Sequence, residues 1–304
     1  MDAQALLDEA NACHDADPAR GADLLLRIDP QALDTGQRPL YGYLLNHVLG
    51  EKLGDWAQAN HHLTALLALP DPSPAVLRHA AVAASLAGDP SAAERTEALA
   101  ASAAVSLRQA DELVTLAGVA LLAASLPAAA AGQRALAALA VLDSPHWQQA
   151  SSLDIPAAAQ CNNLGSALVE RPLADLADAR LCQAMTLAAV CSQQLWQRIG
   201  TWVHDERALY LRALVASALG HATEALAHAE AGLALIDAHD SADEQTVDRA
   251  FLSLEAAFAL QRLGRRDEAA KHHACADRLA AGFGDSGLQT WFADRAARNQ
   301  LLSR

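Results

Sequence analysis

Residues 220–235 read GHATEALAHAEAGLAL, and residues 264–279 read GRRDEAAKHHACADRL. Each stretch follows a run closing on Leu-Gly (Leu219-Gly220, Leu263-Gly264) and carries Glu-Ala at the same offset, Glu224-Ala225 and Glu268-Ala269. The step between them is 44 residues (264 − 220). A helix-forming pattern that returns at a fixed step marks a helical repeat, in which one unit buries its apolar side only by stacking on the next.

Working outward, composition agrees with helices. The 304-residue chain is rich in alanine and only 4% aromatic. Alanine loses no side-chain entropy in a helix, whereas strands favour the branched and aromatic residues that are scarce here. Upstream, the turns are legible from their caps. Asp17-Pro18 and Asp89-Pro90 combine an N-cap with proline at the first helical position, where the missing N–H had no partner to lose. Asp55-Trp56 keeps the aspartate alone, and the positions 17, 55 and 89 are 38 and 34 residues apart. Gly54 and Gly88 precede the later two caps and suit the left-handed residue that closes a helix. Each motif predicts a helix ending, a one-residue turn and a new helix: an antiparallel hairpin.

The 34-residue step, the Gly-Asp turn and a small residue five positions after the turn glycine (Ala59 after Gly54, Ala93 after Gly88) resemble the tetratricopeptide repeat. So does Cys161-Asn162-Asn163-Leu164-Gly165, with Asn163 and Gly165 in the asparagine and small-residue slots of the repeat's first helix. The resemblance is tight over residues 40–105 and 156–281. It implies an all-α fold: a right-handed α-α superhelix, or solenoid, of about seven antiparallel helix pairs with a C-terminal capping helix near residues 286–302. N-terminal repeats are expected over residues 1–141, an irregular connection over 142–155, and C-terminal repeats with the cap over 156–304. The length beyond 34 in the last two units falls near residues 239–246 and predicts a longer turn there.

The family's concave face is lined from the first helix of each pair. Carried over, its positions give Tyr41, Leu44, Arg78, Asn162, Asn163 and Ser166 as candidate ligand- or peptide-binding residues. The C-terminal units add Arg207, Tyr210, Phe251, Leu254, Phe258 and Arg262. The family's carboxylate clamp needs concave lysines, and only Lys52 lies near the groove, so that ligand is not expected.

Candidate chemistry elsewhere is outweighed by structural roles. Residues 282–287 spell GFGDSG, yet a dinucleotide fingerprint needs a preceding strand and here a helix precedes it. His62, His228 and His272 share one repeat slot. Equivalent slots on packed helices lie about 8–10 Å apart, too far for ligands that must sit about 2.0–2.1 Å from one zinc ion. His204-Asp205-Glu206, beside Trp202, is the densest polar cluster. It stands at a predicted helix start, where acidic residues favour the helix dipole.

A net charge of −14, with Lys52 and Lys271 as the only lysines, opposes a phosphate-binding face and hence nucleic acid. Five scattered cysteines (Cys13, Cys161, Cys182, Cys191, Cys275) read as reduced thiols of a cytoplasmic protein. No secretory leader is evident at the N-terminus, and apolar runs break before the roughly 20 residues a bilayer requires. The expectation is a non-catalytic interaction module that holds a peptide or protein segment, without cofactor or metal. An acidic shell around an aromatic floor suits a partner of basic character. A small-molecule or metal-dependent enzyme or sensor with a cavity near Trp202, His204 and Asp205 is the alternative, and a homo-oligomeric scaffold a third reading.

Overall fold

The computed structural model describes residues 2–240 and 244–302. Among them the fold is all-α, with fifteen α-helices packed in successive neighbouring pairs and no strand. The first unit holds α1 (Ala3–Cys13), α2 (Pro18–Leu26), α3 (Arg38–Leu44), α4 (Trp56–Leu67), α5 (Pro74–Ala87), α6 (Ala92–Ala103) and α7 (Leu107–Leu122). The second holds α8 (Ala128–Ala140), α9 (Asp154–Val169), α10 (Ala179–Ile199), α11 (Trp202–Ala218), α12 (Ala222–His239), α13 (Thr246–Arg262), α14 (Arg266–Ala280) and α15 (Ser286–Leu302). None of these helices is long and apolar enough to cross a membrane.

The turns follow the local chemistry. Asp17 and Asp55 accept the backbone N–H of Arg20 and Gln58, at 3.0 and 2.9 Å, and so satisfy donors that a helix start leaves without partners. Gly54, Gly88, Gly220 and Gly264 all take positive φ, between 68° and 84°, where a Cβ would be strained. The third cap differs from expectation. Asp89 turns onto the backbone N–H of Ser91 (2.8 Å), and α6 begins only at Ala92. Its other carboxylate oxygen accepts from Asn60 (2.7 Å), whose own carbonyl oxygen accepts from the buried Arg95 guanidinium (2.6 Å). A polar contact between helices has thus displaced the helix start by two residues.

In the first unit, Leu25, Leu45, Leu49, Leu63 and the ring of Tyr41 are almost wholly buried in one core. α3 runs directly into a π-helix, Leu45–Lys52. There the Leu53 N–H reaches the Val48 carbonyl at 3.1 Å, the five-residue reach of the wider helix. Trp56 packs on Gly50 so closely that a Cβ would fall 2.3 Å from its ring.

The expected connection at 142–155 is divided between the units. Pro145–Leu153 belongs to the first, where Glu112 on α7 meets His146 Nε2 at 2.6 Å and accepts from Trp147 Nε1 at 2.7 Å. Ala123–Ser144, with α8, belongs to the second. Gly132 lets α8 close on the start of α10, since a Cβ there would fall 2.6 Å from the Leu181 nitrogen. The boundary is set by these contacts, which the break in the repeat pattern does not reveal.

The second unit pairs α9 with α10, α11 with α12 and α13 with α14, while α9, α11 and α13 also pack on one another in sequence. Gly165 allows one of these approaches: a Cβ would lie 2.9 Å from Leu211 Cδ2. The expected lengthening at 239–246 falls partly on residues 241–243, outside the described residues; α12 extends to His239 and α13 begins at Thr246. α15 matches its expected span and packs in one apolar cluster with α13 and α14, the last pair. It also lies over α11 and reaches the end of α9, so it covers a face of the unit as well.

Candidate functional site

The face beneath α15 is built by α11 and α13, with the end of α9. On α13, Phe251, Leu254, Glu255, Phe258 and Arg262 recur at helical spacing and share one side. Phe251 is the centre of an aromatic cluster. Its ring centroid lies 5.8 Å from Tyr210 on α11, 4.5 Å from Trp291 and 5.3 Å from Phe292 on α15, and 6.4 Å from Phe283.

Next to the rings sits a buried polar centre. Glu255 is fully buried and accepts four hydrogen bonds: Arg295 Nε (2.8 Å), Arg295 Nη2 (3.1 Å), Asn299 Nδ2 (2.7 Å) and Ser217 Oγ (2.8 Å). The fork of the guanidinium matches both carboxylate oxygens. Four donors on one carboxylate meet the condition under which a buried charge is tolerated. Further along α15, Arg298 donates to the Val169 and Arg171 carbonyls, at 2.5 and 2.7 Å. A cation there meets the carbonyls that the end of α9 leaves free.

The near end of the face is acidic. Arg207 donates to Asp248 through Nε and Nη2, at 3.1 and 3.0 Å. Glu206, on the same turn of α11, is fully buried, with the Arg207 guanidinium 3.7 Å from Oε1 and the Asp248 carboxylate beside it. Burial first, and the neighbouring Asp248 charge second, push its carboxyl well above the usual carboxylate range, against the pull of Arg207. Burial likewise pushes the Tyr210 phenol up. These groups make a mostly apolar bed whose carboxylates at Glu255 and Asp248 are each answered by an arginine. The side chains that α15 brings to it are aromatic, Trp291 and Phe292, and cationic, Arg295.

The structure brings together only part of the set expected from the sequence. Arg207, Tyr210, Phe251, Leu254, Phe258 and Arg262 do line one face, and Arg262 donates to the Ser217 carbonyl at 2.9 Å. But Phe251, Leu254 and Phe258 are buried at 1–3% exposure, so they are not the open floor of a groove; α15 covers them. Tyr41 and Leu44 require a plainer correction. Both are wholly buried in the first unit, and the Tyr41 hydroxyl donates to the Leu25 carbonyl at 3.3 Å, which makes them packing residues. Arg78 is half-buried on α5, where burial holds its guanidinium below the ordinary value. On α9, Asn162 and Ser166 are half-buried and Asn163 is exposed.

At the alternative cluster, His204 Nδ1 accepts the Thr201 backbone N–H at 3.1 Å, and its ring stacks on Trp196 at 4.2 Å. Trp202 stacks instead on His239, at 5.4 Å. The two side chains are committed to a helix start and to separate stacking partners, and Asp205 lies in the first turn of the same helix. Among the described residues one trio of metal-ligating groups converges, His14, Asp15 and His47 in the first unit, and it involves none of His61, His62, His272 or His273.

Glu206, Glu255, Arg295, Asn299 and the trio of His14, Asp15 and His47 escape a reading by repeat slot. Glu255 had a visible signal, since a lone carboxylate within the apolar run FLSLEAAFAL demands a buried partner. Nothing in the sequence says which of the chain's arginines supplies it. No protein-family model matches the chain, and a search of curated proteins finds no match.

Proposed function

We propose that this protein is a non-catalytic helical-repeat interaction module of tetratricopeptide type, whose first-helix face in the second unit receives an amphipathic helix with basic character. One observation carries the reading: the chain's own α15 lies on that face, held by an aromatic cluster and by Arg295 on the buried Glu255. Laying the apolar side of a helix into a groove is a recurrent mode of recognition. Buried aromatics and arginine are the residues that dominate such interfaces. In this reading α15 is an internal ligand, and a partner helix competes with it. The net charge of −14 favours a basic partner and disfavours nucleic acid. All five cysteines are unpaired, as suits a reducing compartment, so we place the protein in the cytoplasm.

The test uses a labelled peptide of residues 286–302 and the full-length chain. With Trp291→Ala and Arg295→Ala in the chain, the wild-type peptide should bind saturably in fluorescence anisotropy, at least tenfold tighter than to the unmodified protein. A peptide carrying the same two substitutions should not bind. Equal binding of both peptides, or of neither, sinks the reading.

A homo-oligomeric assembly is the second reading, favoured by the joint before α15. Residues 281–285, spanning Gly282 and Gly284, lie outside any helix. This joint suits exchange of α15 between copies. Light scattering across a concentration series separates the two: a dimer lost on substitution of Trp291 and Arg295 supports exchange, and a constant monomer excludes it.

A further inference from the structure

α1 ends beside the π-helix of the first unit, and three metal-ligating side chains meet there, His14, Asp15 and His47, each with a ligand atom within 4.8 Å of the others'. His14 Nε2 lies 3.3 Å from Asp15 Oδ2, and His47 Nε2 lies 3.4 Å from Asp15 Oδ1. Each imidazole is oriented by its other nitrogen. His14 Nδ1 stands 2.6 Å from the Asn11 carbonyl oxygen, and His47 Nδ1 stands 2.6 Å from Glu51 Oε2. A carbonyl or carboxylate oxygen only accepts, so the proton of each neutral ring sits on Nδ1. Both Nε2 lone pairs are thereby turned towards the Asp15 carboxylate. Such outer hydrogen bonds are what fix the tautomer and ring orientation of metal-binding histidines.

Asp15 already carries one cation, the Lys52 ammonium on Oδ1, and an ion bound between the two imidazoles would compete with it. Each imidazole approaches a different oxygen of the Asp15 carboxylate, His14 at 3.3 Å and His47 at 3.4 Å, which leaves that group between the two rings. Two further observations support a built site. His47 and Glu51 lie on the π-helix Leu45–Lys52, a wide-helix form that concentrates at functional sites. Tyr43 stacks flat on His47, at 5.5 Å and 9°, holding the ring.

We propose that His14, Asp15 and His47 bind a divalent transition-metal ion of the zinc class, with Asn11 and Glu51 orienting the two imidazoles. The donor set of two imidazoles and one carboxylate suits zinc and its neighbours rather than magnesium or calcium, which prefer oxygen alone. The His14 and His47 side chains are 19% and 14% exposed, and Asp15 is 68% exposed, so the ion keeps an open side. Lys52 Nζ, 3.0 Å from Asp15 Oδ1, is a built-in competitor for the carboxylate. The ion ties the end of α1 to the π-helix and acts as a clamp on the first unit.

Zinc chloride titrated into the chelator-stripped full-length protein, followed by calorimetry with circular dichroism as a folding control, tests the assignment. One equivalent should bind, and His14→Ala or His47→Ala should weaken it at least tenfold. Glu51→Gln should cost about 10–100-fold, the usual effect of removing an outer-shell partner. Lys52→Ala, at the more exposed competitor, should tighten binding several-fold even if the histidine variants do not fold. Binding unchanged in Glu51→Gln and Lys52→Ala, or lost equally in a His61→Ala/His62→Ala control, overturns it.

Discussion

At the scale of single residues, the second unit depends on one carboxylate. Glu255 and Arg295 are 0% and 2% exposed, and Glu255 has all four of its donors in place. Removing one member of such a pair strands a charge in the interior, at a cost of about 3–5 kcal/mol, whereas replacing both with well-packed apolar groups is often neutral. Arg295→Ala should therefore lower the urea midpoint sharply, and a Glu255→Leu/Arg295→Met double variant should recover most of the loss. A double variant no better than the single would show that the hydrogen bonds, rather than the stranded charge, dominate. Glu206 predicts a pH dependence of definite sign. Its folded carboxyl holds its proton above the ordinary carboxylate pKa of about 4.3. Below that value both states are protonated and nothing is lost. As pH rises, the unfolded chain releases the proton and the folded one keeps it, so stability falls by up to about 1.4 kcal/mol per pH unit until the folded group also ionises. Glu206→Gln lacks this loss, so it should match the parent near pH 4 and be the more stable at pH 8 in urea melts.

At the scale of elements, helices and turns were legible because their causes are local. The aspartate caps at 17 and 55 and the turn glycines at 54 and 88 each act within a few residues, and the structure has them as expected, with Gly220 and Gly264 taking the same positive φ. Gly264 isolates the effect, because its φ is 77° and a Cβ would meet nothing within 4 Å. Gly264→Ala should cost about 1–2 kcal/mol, the strain of an L-residue in the left-handed region, readable as a lower thermal midpoint with no change in helicity. At Asp89 the local signal misled by two residues, since Asn60, from another helix, claims the carboxylate. α15 shows the same limit on a larger scale. Its span was readable from sequence, while its position depends on Phe251 and Glu255, some forty residues earlier.

For the whole molecule, the all-α helical repeat followed from sequence alone: alanine-rich composition, apolar stretches at helical spacing and capped turns returning at steps of 34 to 44 residues. Those features act over one or two turns of chain, so folding has little freedom to overrule them. The division into units did not follow. It rests on Glu112 meeting His146 and Trp147 across more than thirty residues, and on the close approach of α8 to α10 at Gly132. The candidate sites were decided by tertiary structure for the same reason. Repeat slots indicated the face shared by Tyr210 and Phe251, but not that α15 would cover it, nor that Arg295 would answer Glu255. His14 and His47 belong to no shared slot, and only packing of α1 beside the π-helix turns both rings towards Asp15. The sequence by itself determined where helices start, stop and repeat, because backbone hydrogen bonding and φ preference are properties of neighbours in the chain. Which charged side chains meet in the interior, and which surface stays exposed, was decided only by the tertiary structure, because desolvation and charge pairing depend on distances in space.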